Sequence, residues 1–254
     1  ISYEHENIIR IDVDNSKQPN SRWYSGSGIY RDVNLWTGKD VYISHDKLRI
    51  TTLSVNDDMA VIEVCAQLKN IIGHGLEAEC LIEIKKDGQK TASDTQRVVF
   101  RSEQMQTVRV RIPIEHPKKW SPKQPALYEC HITTKFDDKI CDEAVSNFGI
   151  RVLALDPVHG LQINGETVKL RGTCIHHDNG VIGAETFKEA EWYRCKRLKE
   201  AGFNAIRSAH HPMSRAMLDA CDHIGMLVMD ELTDMWDKEK NTYDFSDIFE
   251  DEYN

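Results

Sequence analysis

The sequence predicts a multidomain chain of β and then α/β type, and three observations carry that prediction. Apolar residues alternate with polar ones up to about Arg151, the period changes after Asp156-Pro157, and from there strand-like and helix-like segments take turns. The alternation first appears at Ile9, Ile11 and Val13. It returns, after a polar stretch from Asn15 to Gly28, at Ile29, Arg31, Val33 and Leu35, set against Tyr30, Asp32, Asn34 and Trp36. Two half-buried strands joined by a long loop are expected there, and two strands do not make a stable sheet by themselves. Residues 1–40 therefore read as the end of a sheet domain that begins before Ile1.

From Val41 the period-2 pattern recurs at 48–55, 60–68, 78–84, 98–100, 108–114, 128–136 and 144–150, with Ala60, Ile62, Val64, Ala66 and Leu68 on one face. About seven short strands in roughly 110 residues are the signature of an antiparallel sandwich of immunoglobulin-like size. Asp87-Gly88 is a hairpin turn. Pro117, Pro122 and Pro125 fall in the long connection around Trp120, where a missing backbone donor harms no ladder. Beyond Asp156-Pro157, residues 168–173 read as a strand. Thr186 and Glu189 form a capping box for a helix carrying Ala190, Tyr193, Leu198 and Ala201, which Gly202 stops. A strand at 203–207, a helix at 214–224 ended by Gly225, and an apolar strand at 226–229 follow. Strand, helix, strand, helix, strand is the grammar of parallel βα units.

Composition narrows the function classes. The net charge of −9, with Lys and Arg scattered, disfavours nucleic acid as a partner, and no apolar run reaches the roughly 18 residues of a membrane span. The seven cysteines are odd in number and form no C-x-x-C pair, so they read as buried thiols. That suits a reducing compartment, but periplasmic proteins also carry free cysteines, so cytoplasm and periplasm both stay open.

In parallel βα architectures functional groups gather at the C-terminal ends of the strands. Here the first strand runs into Cys174-Ile175-His176-His177-Asp178, the second into Arg207-Ser208-Ala209-His210-His211-Pro212, and the third into Asp230-Glu231. Imidazoles and a guanidinium suit the hydroxyls of a sugar without defining a reaction. A metal-dependent hydrolase with His176, His210 and Asp230 as ligands is a rival reading, weakened by the His-His rather than His-x-His end of the first strand. A non-enzymatic carbohydrate-binding β-sandwich module is another. Trp23, Trp36 and Trp120 could stack on sugars, but isolated tryptophans are more often core, so they are left out of the site.

The segment Asn204-Ala205-Ile206-Arg207-Ser208-Ala209-His210-His211-Pro212, with Met217-Leu218, Asp222 and Gly225-Met226-Leu227-Val228-Met229 after it, resembles the first signature of glycoside hydrolase family 2, with His211 where that family usually has Tyr. Ser21 to Val33, Trp120-Ser121-Pro122, Phe148-Gly149-Ile150-Arg151 and Leu170-Arg171-Gly172 resemble further segments of the same family. The resemblance implies three parts: residues 1–40 as the incomplete end of a sugar-binding jelly roll, 41–152 as the immunoglobulin-like sandwich, and 153–254 as the first part of a (β/α)8 TIM barrel. It implies a retaining glycosidase acting on terminal β-linked sugars, most strongly β-galactosides, with β-glucuronidase or β-mannosidase as alternatives. His176, Arg207 and His210 would bind the substrate, Asp230 and Glu231 would support the site, and the acid/base and nucleophile glutamates would lie beyond Asn254. The truncated chain is then expected to be inactive by itself. Magnesium or sodium would belong to the parent enzyme, although residues 232–236 offer only Asp234 as a ligand. An open set of barrel strands also leaves an unpaired edge, which invites self-association into a homo-oligomer.

Overall fold

A computed structural model of the chain describes residues 4–21, 23, 27–233, 238–244 and 246. The sandwich forms as the alternation requires. Its first sheet has β3 (Met59–Asn70) at the centre, with β1 (Val41–Ile43) and β2 (Arg49–Val55) sharing one edge of it and β6 (Met105–Glu115) on the other. The second sheet runs β5 (Gln89–Phe100), β4 (Leu76–Lys86), β7 (Tyr128–Phe136), β8 (Lys139–Phe148), and every pairing in both sheets is antiparallel. Ala60, Ile62, Val64, Ala66 and Leu68 are fully buried against Ala78, Cys80, Ile82, Ile84, Cys130 and Ile132 of the facing sheet. One face of β3 therefore supplies a continuous wall of the core. Asp87 and Gly88 both have positive φ, the twist a two-residue hairpin needs, and Asp137-Asp138 repeats that conformation at the β7–β8 turn.

The second half begins with a three-stranded meander that the sequence pattern did not reveal, β9 (Leu153–Asp156), β10 (Gly160–Ile163) and β11 (Glu166–Thr167). Then come β12 (Gly172–Ile175), α1 (Lys188–Glu200), β13 (Ala205–Ser208), α2 (Arg215–Ile224) and β14 (Leu227–Met229). The strands β12, β13 and β14 are adjacent and parallel, with Cys174 opposite Arg207 and Arg207 opposite Met229. The helices cover one face of this sheet, where Cys195, Met217, Ala220 and Cys221 pack with Ile206 and Met226. This is the opening of a barrel, and among the described residues the sheet does not close.

Three expectations are corrected here. No strand forms among the described residues of 4–40, and Ile9 is 83% exposed, because neither alternating segment finds a strand to pair with. The strand expected at 168–173 forms at 172–175 instead. The capping box fails: Phe187 is the N-cap of α1 and makes no side-chain bond, while the buried Thr186 hydroxyl donates to the Tyr30 carbonyl at 2.9 Å. A tertiary partner outcompetes the local one. The cap of α2 does form, with Ser214 Oγ accepting from Met217 N, and Gly225 closes the helix in the left-handed region.

The sandwich and the βα unit meet at Trp120, which is 1% exposed. Its Nε1 donates to the Asp222 carbonyl at 2.8 Å, Arg151 lies 4.4 Å over its ring, and its own carbonyl accepts from Asn164 Nδ2 at 3.0 Å. Lys199 Nζ adds bonds to the carbonyls of Pro122 (2.6 Å) and Gly225 (2.8 Å). Trp120 is thus core, as expected, whereas Trp36 is exposed and stacks on His45 at 4.0 Å. No helix among the described residues is long and apolar enough to cross a membrane.

Candidate sugar-binding site

Each parallel strand delivers side chains to the same rim because all three end there. After β12, the His176 backbone is held from below by α1: Arg194 Nη1 donates to the His176 carbonyl at 2.9 Å and approaches that of Asp178 at 3.4 Å. Arg194 is in turn fixed by Glu191, whose carboxylate is fully buried and lies 2.8 Å from its Nη2. Such a buried pair is tolerated because Nη1 of the same guanidinium reaches two backbone carbonyls, although Nε is buried without a partner among the described residues. The helix behind the strand therefore positions the histidine in front of it.

After β13, Arg207 Nε donates to Glu231 Oε1 at 2.5 Å, and His210 Nδ1 stands 3.3 Å from Glu231 Oε2. Glu231 lies between the two, hydrogen-bonded to Arg207 and within ion-pair distance of His210, and its bond to Arg207 holds that guanidinium above its ordinary pKa. His176 Nδ1 meets the Ala209 carbonyl, and Ser208 Oγ donates to the His211 carbonyl, so the loop after β13 is folded back on itself. Asp230 turns away from this group and accepts from Met213 N at 3.0 Å, bracing the same loop.

The rings complete the site. Trp23 lies with its ring centre 4.8 Å from that of His210 and 6.3 Å from that of His176, nearly parallel to the latter, while His176 and His210 are 5.5 Å apart. Behind them His177 and His211 stack at 4.7 Å. Burial lowers the pKa of His177 to about 4 and that of His211 in the same direction, so both rings are neutral near pH 7. The thiols follow expectation except at Cys174, which is exposed beside Arg207 Nη1 at 3.6 Å, and Cys65, which is partly exposed. Cys174 points to the sheet face opposite the helices, the face on which Arg207 lies.

Of the residues singled out from the sequence, His176, Arg207, His210 and Glu231 come together, and Asp230 supports them through a backbone bond. Sequence reasoning missed Trp23, Arg31, His177 and His211. No spacing rule relates Trp23 to residues more than 150 positions away; the one available hint was its place inside the Ser21 to Val33 segment. Among the described residues no group of three or more His, Cys, Asp or Glu side chains converges as a metal site, so His176, His210 and Asp230 do not form a ligand set. Asp234 and Trp236 lie outside the described residues. What the site offers is an aromatic face, imidazoles and a paired guanidinium and carboxylate, which together suit stacking and hydrogen bonding to a polyhydroxylated ring.

Comparison with known proteins bears on the family and the fold. Residues 41–151 match the family model described as glycosyl hydrolases family 2, and residues 158–242 match that of its TIM barrel domain. The chain is 32% identical over 260 aligned residues to a β-galactosidase of Bacteroides ovatus, covering 98% of this chain and 29% of that protein. It is 32% identical to a putative β-glucuronidase of Formosa agariphila, covering 92% of the chain and 22% of the relative. A crystal structure of a glycosyl hydrolase family 2 member from Bacteroides cellulosilyticus superposes with a TM-score of 0.86 at 35% identity, covering 92% of this chain and 30% of that one. The chain thus spans less than a third of the length of these relatives.

Proposed function

This chain belongs to glycosyl hydrolase family 2, and we propose that the protein it forms part of hydrolyses terminal β-linked sugars, β-galactosides above others, with retention of configuration. The observation that carries the reading is the grouping of Trp23, His176 and His210 beside the Arg207–Glu231–His210 chain. Trp23 gives the apolar face of a sugar a surface to lie on. His176, His210 and Arg207 bind hydroxyls, Glu231 orients Arg207 and His210, and Asp230 holds the loop that carries His210.

Retention needs an acid/base carboxyl and a nucleophilic carboxylate about 5 Å apart. The rim carboxylates are committed elsewhere, Asp230 to Met213 N and Glu231 to Arg207, so we place the reacting pair outside residues 1–254. The residues of this chain bind and orient the sugar and do not cleave it. A neutral sugar is favoured over a glucuronide because the positive charge of Arg207 is already matched by Glu231 at 2.5 Å.

The test is turnover of chromogenic β-galactoside, β-glucuronide and β-mannoside by the full-length protein and by residues 1–254 alone. Turnover by the full-length protein only, fastest on the galactoside, is the expected result. A larger kcat/KM on the glucuronide would overturn the choice of sugar, and comparable activity in residues 1–254 would overturn the placement of the carboxylates.

A further inference from the structure

One tie of the rim loop 209–213 reaches outside the βα unit. Three side-chain nitrogens approach the Pro212 carbonyl: Arg31 Nη2 at 2.5 Å, His177 Nε2 at 3.2 Å and His211 Nδ1 at 3.4 Å. Arg31 belongs to neither the sandwich nor the βα unit. Its guanidinium comes from a segment 181 positions earlier in the chain, and the same Nη2 lies 3.1 Å from His177 Nε2.

The segment that delivers Arg31 is itself fastened. Thr186 donates to the Tyr30 carbonyl at 2.9 Å, and the Tyr30 ring meets the edge of His177 at 5.7 Å. His177 is 3% exposed and stacks on His211, the residue between His210 and Pro212. A displaced Arg31 would leave a buried imidazole and a carbonyl without their charged donor, and the loop between Ala209 and Met213 would keep its bonds to His176 and Asp230 but lose its charged tie to the 27–31 segment.

We propose that Arg31 is a positioning residue for sugar recognition: by holding the Pro212 carbonyl and the His177 ring together, it sets where the His210 imidazole stands against Trp23 and Glu231. The inference rests on the proposed function for the identity of the ligand, but the fastening of the loop does not depend on it. Arginine suits the task because its always-charged, weakly hydrated guanidinium sets one Nη2 against both the carbonyl and the ring, where the strongly hydrated ammonium of lysine sits on a looser stem.

The test compares Arg31→Ala and Arg31→Lys in the full-length protein with wild type and with Arg10→Ala, whose arginine and Asp12 partner are both largely exposed. Arg31→Ala is expected to raise the KM for an aryl β-galactoside and the inhibition constant of galactose together, by about tenfold, with kcat within about threefold. It also speeds hydrogen exchange in a peptide covering 208–214. Arg31→Lys falls between the alanine variant and wild type in all three readouts, and it carries the comparison alone if the alanine variant does not fold. Unchanged KM and unchanged exchange would overturn the proposal. So would a lowered melting temperature with unchanged KM in the protein that stays folded, since that makes Arg31 a structural staple only. If wild type turns over no β-galactoside, the proposed function fails while the exchange comparison still decides on Arg31.

Discussion

The sandwich and the barrel rim are held together by opposite kinds of contact. In the sandwich, β3, β4, β6 and β7 bury every second residue along most of their length, and several neighbours in space are neighbours in sequence, joined by tight hairpins at Asp87-Gly88 and Asp137-Asp138. In the rim, side chains from three strand ends are joined to one another, to α1 from behind, and to Trp23 and Arg31 from a segment 146 to 187 positions away. One region is a repeated apolar pattern, the other a set of single polar bonds. The difference teaches that stability and recognition are separable here in one direction: variants of the sandwich core should move unfolding without moving sugar binding, while rim variants should move sugar binding whatever they do to stability.

The largest effect tests the first half of that statement. Ile62 is fully buried at the middle of β3, so Ile62→Ala should lower unfolding free energy by about 2–5 kcal/mol through lost transfer energy and the cavity left behind. Guanidinium unfolding of the full-length protein measures it, and the KM for a β-galactoside should stay at the wild-type value. A KM that rises with the loss of stability would show that the two regions are coupled.

Next in size is a pH effect that belongs to the rim. His177 has its pKa pushed down from 6.5 to about 4 by burial, so the folded state keeps the ring neutral while the unfolded chain protonates it first. Its contribution to stability is complete above about pH 6.5, falls as pH drops, and levels off near pH 4, a total of about 3 kcal/mol. His177→Gln should flatten the stability profile between those two values relative to wild type. Parallel profiles for the two proteins would mean that the ring is not held neutral by its site.

The same contrast explains what was legible in the sequence. The face of β3 could be read because burial on one side of a sheet imposes period 2, and the end of α2 because a left-handed terminus selects glycine, here Gly225. The alternation at 9–13 and 29–36 was read the same way and misled, since alternation records a preference for a half-buried strand and cannot supply the neighbouring strand. Thr186 misled for the reverse reason: the local capping pattern was present, but Tyr30, far off in sequence, took its hydroxyl. His176, Arg207, His210 and Glu231 were legible because strand ends in parallel sheets share a rim. Trp23, Arg31 and His177 were not, because their roles exist only once distant segments have packed.

Gly225 lies where the two regions touch and sharpens the comparison further. It ends α2 with φ of +82°, and a Cβ there would stand 2.5 Å from the Pro122 carbonyl, which also accepts from Lys199 Nζ. Gly225→Ala should therefore cost about 2 kcal/mol, from the left-handed backbone and the forced retreat of residue 122. The lost stability should appear as an earlier melting transition of the βα unit, with the sandwich strands keeping their hydrogen-exchange protection. Equal loss of protection in β3 and β4 would instead make the junction part of the sandwich core.

The smallest effects set two residues of the same chemistry against each other. Ser214→Ala removes the acceptor for Met217 N and should cost about 1 kcal/mol, read as faster hydrogen exchange in the first turn of α2, and Ser214→Asp should restore it because a carboxylate caps as well as a hydroxyl. Thr186→Val should cost about the same through one lost hydrogen bond, but its exchange signature should differ. Its hydroxyl serves Tyr30 rather than α1, so the 27–31 segment should loosen while the first turn of α1 exchanges as before. If Thr186→Val frays α1 instead, the capping box operates in solution, and the helix start is governed by local sequence after all.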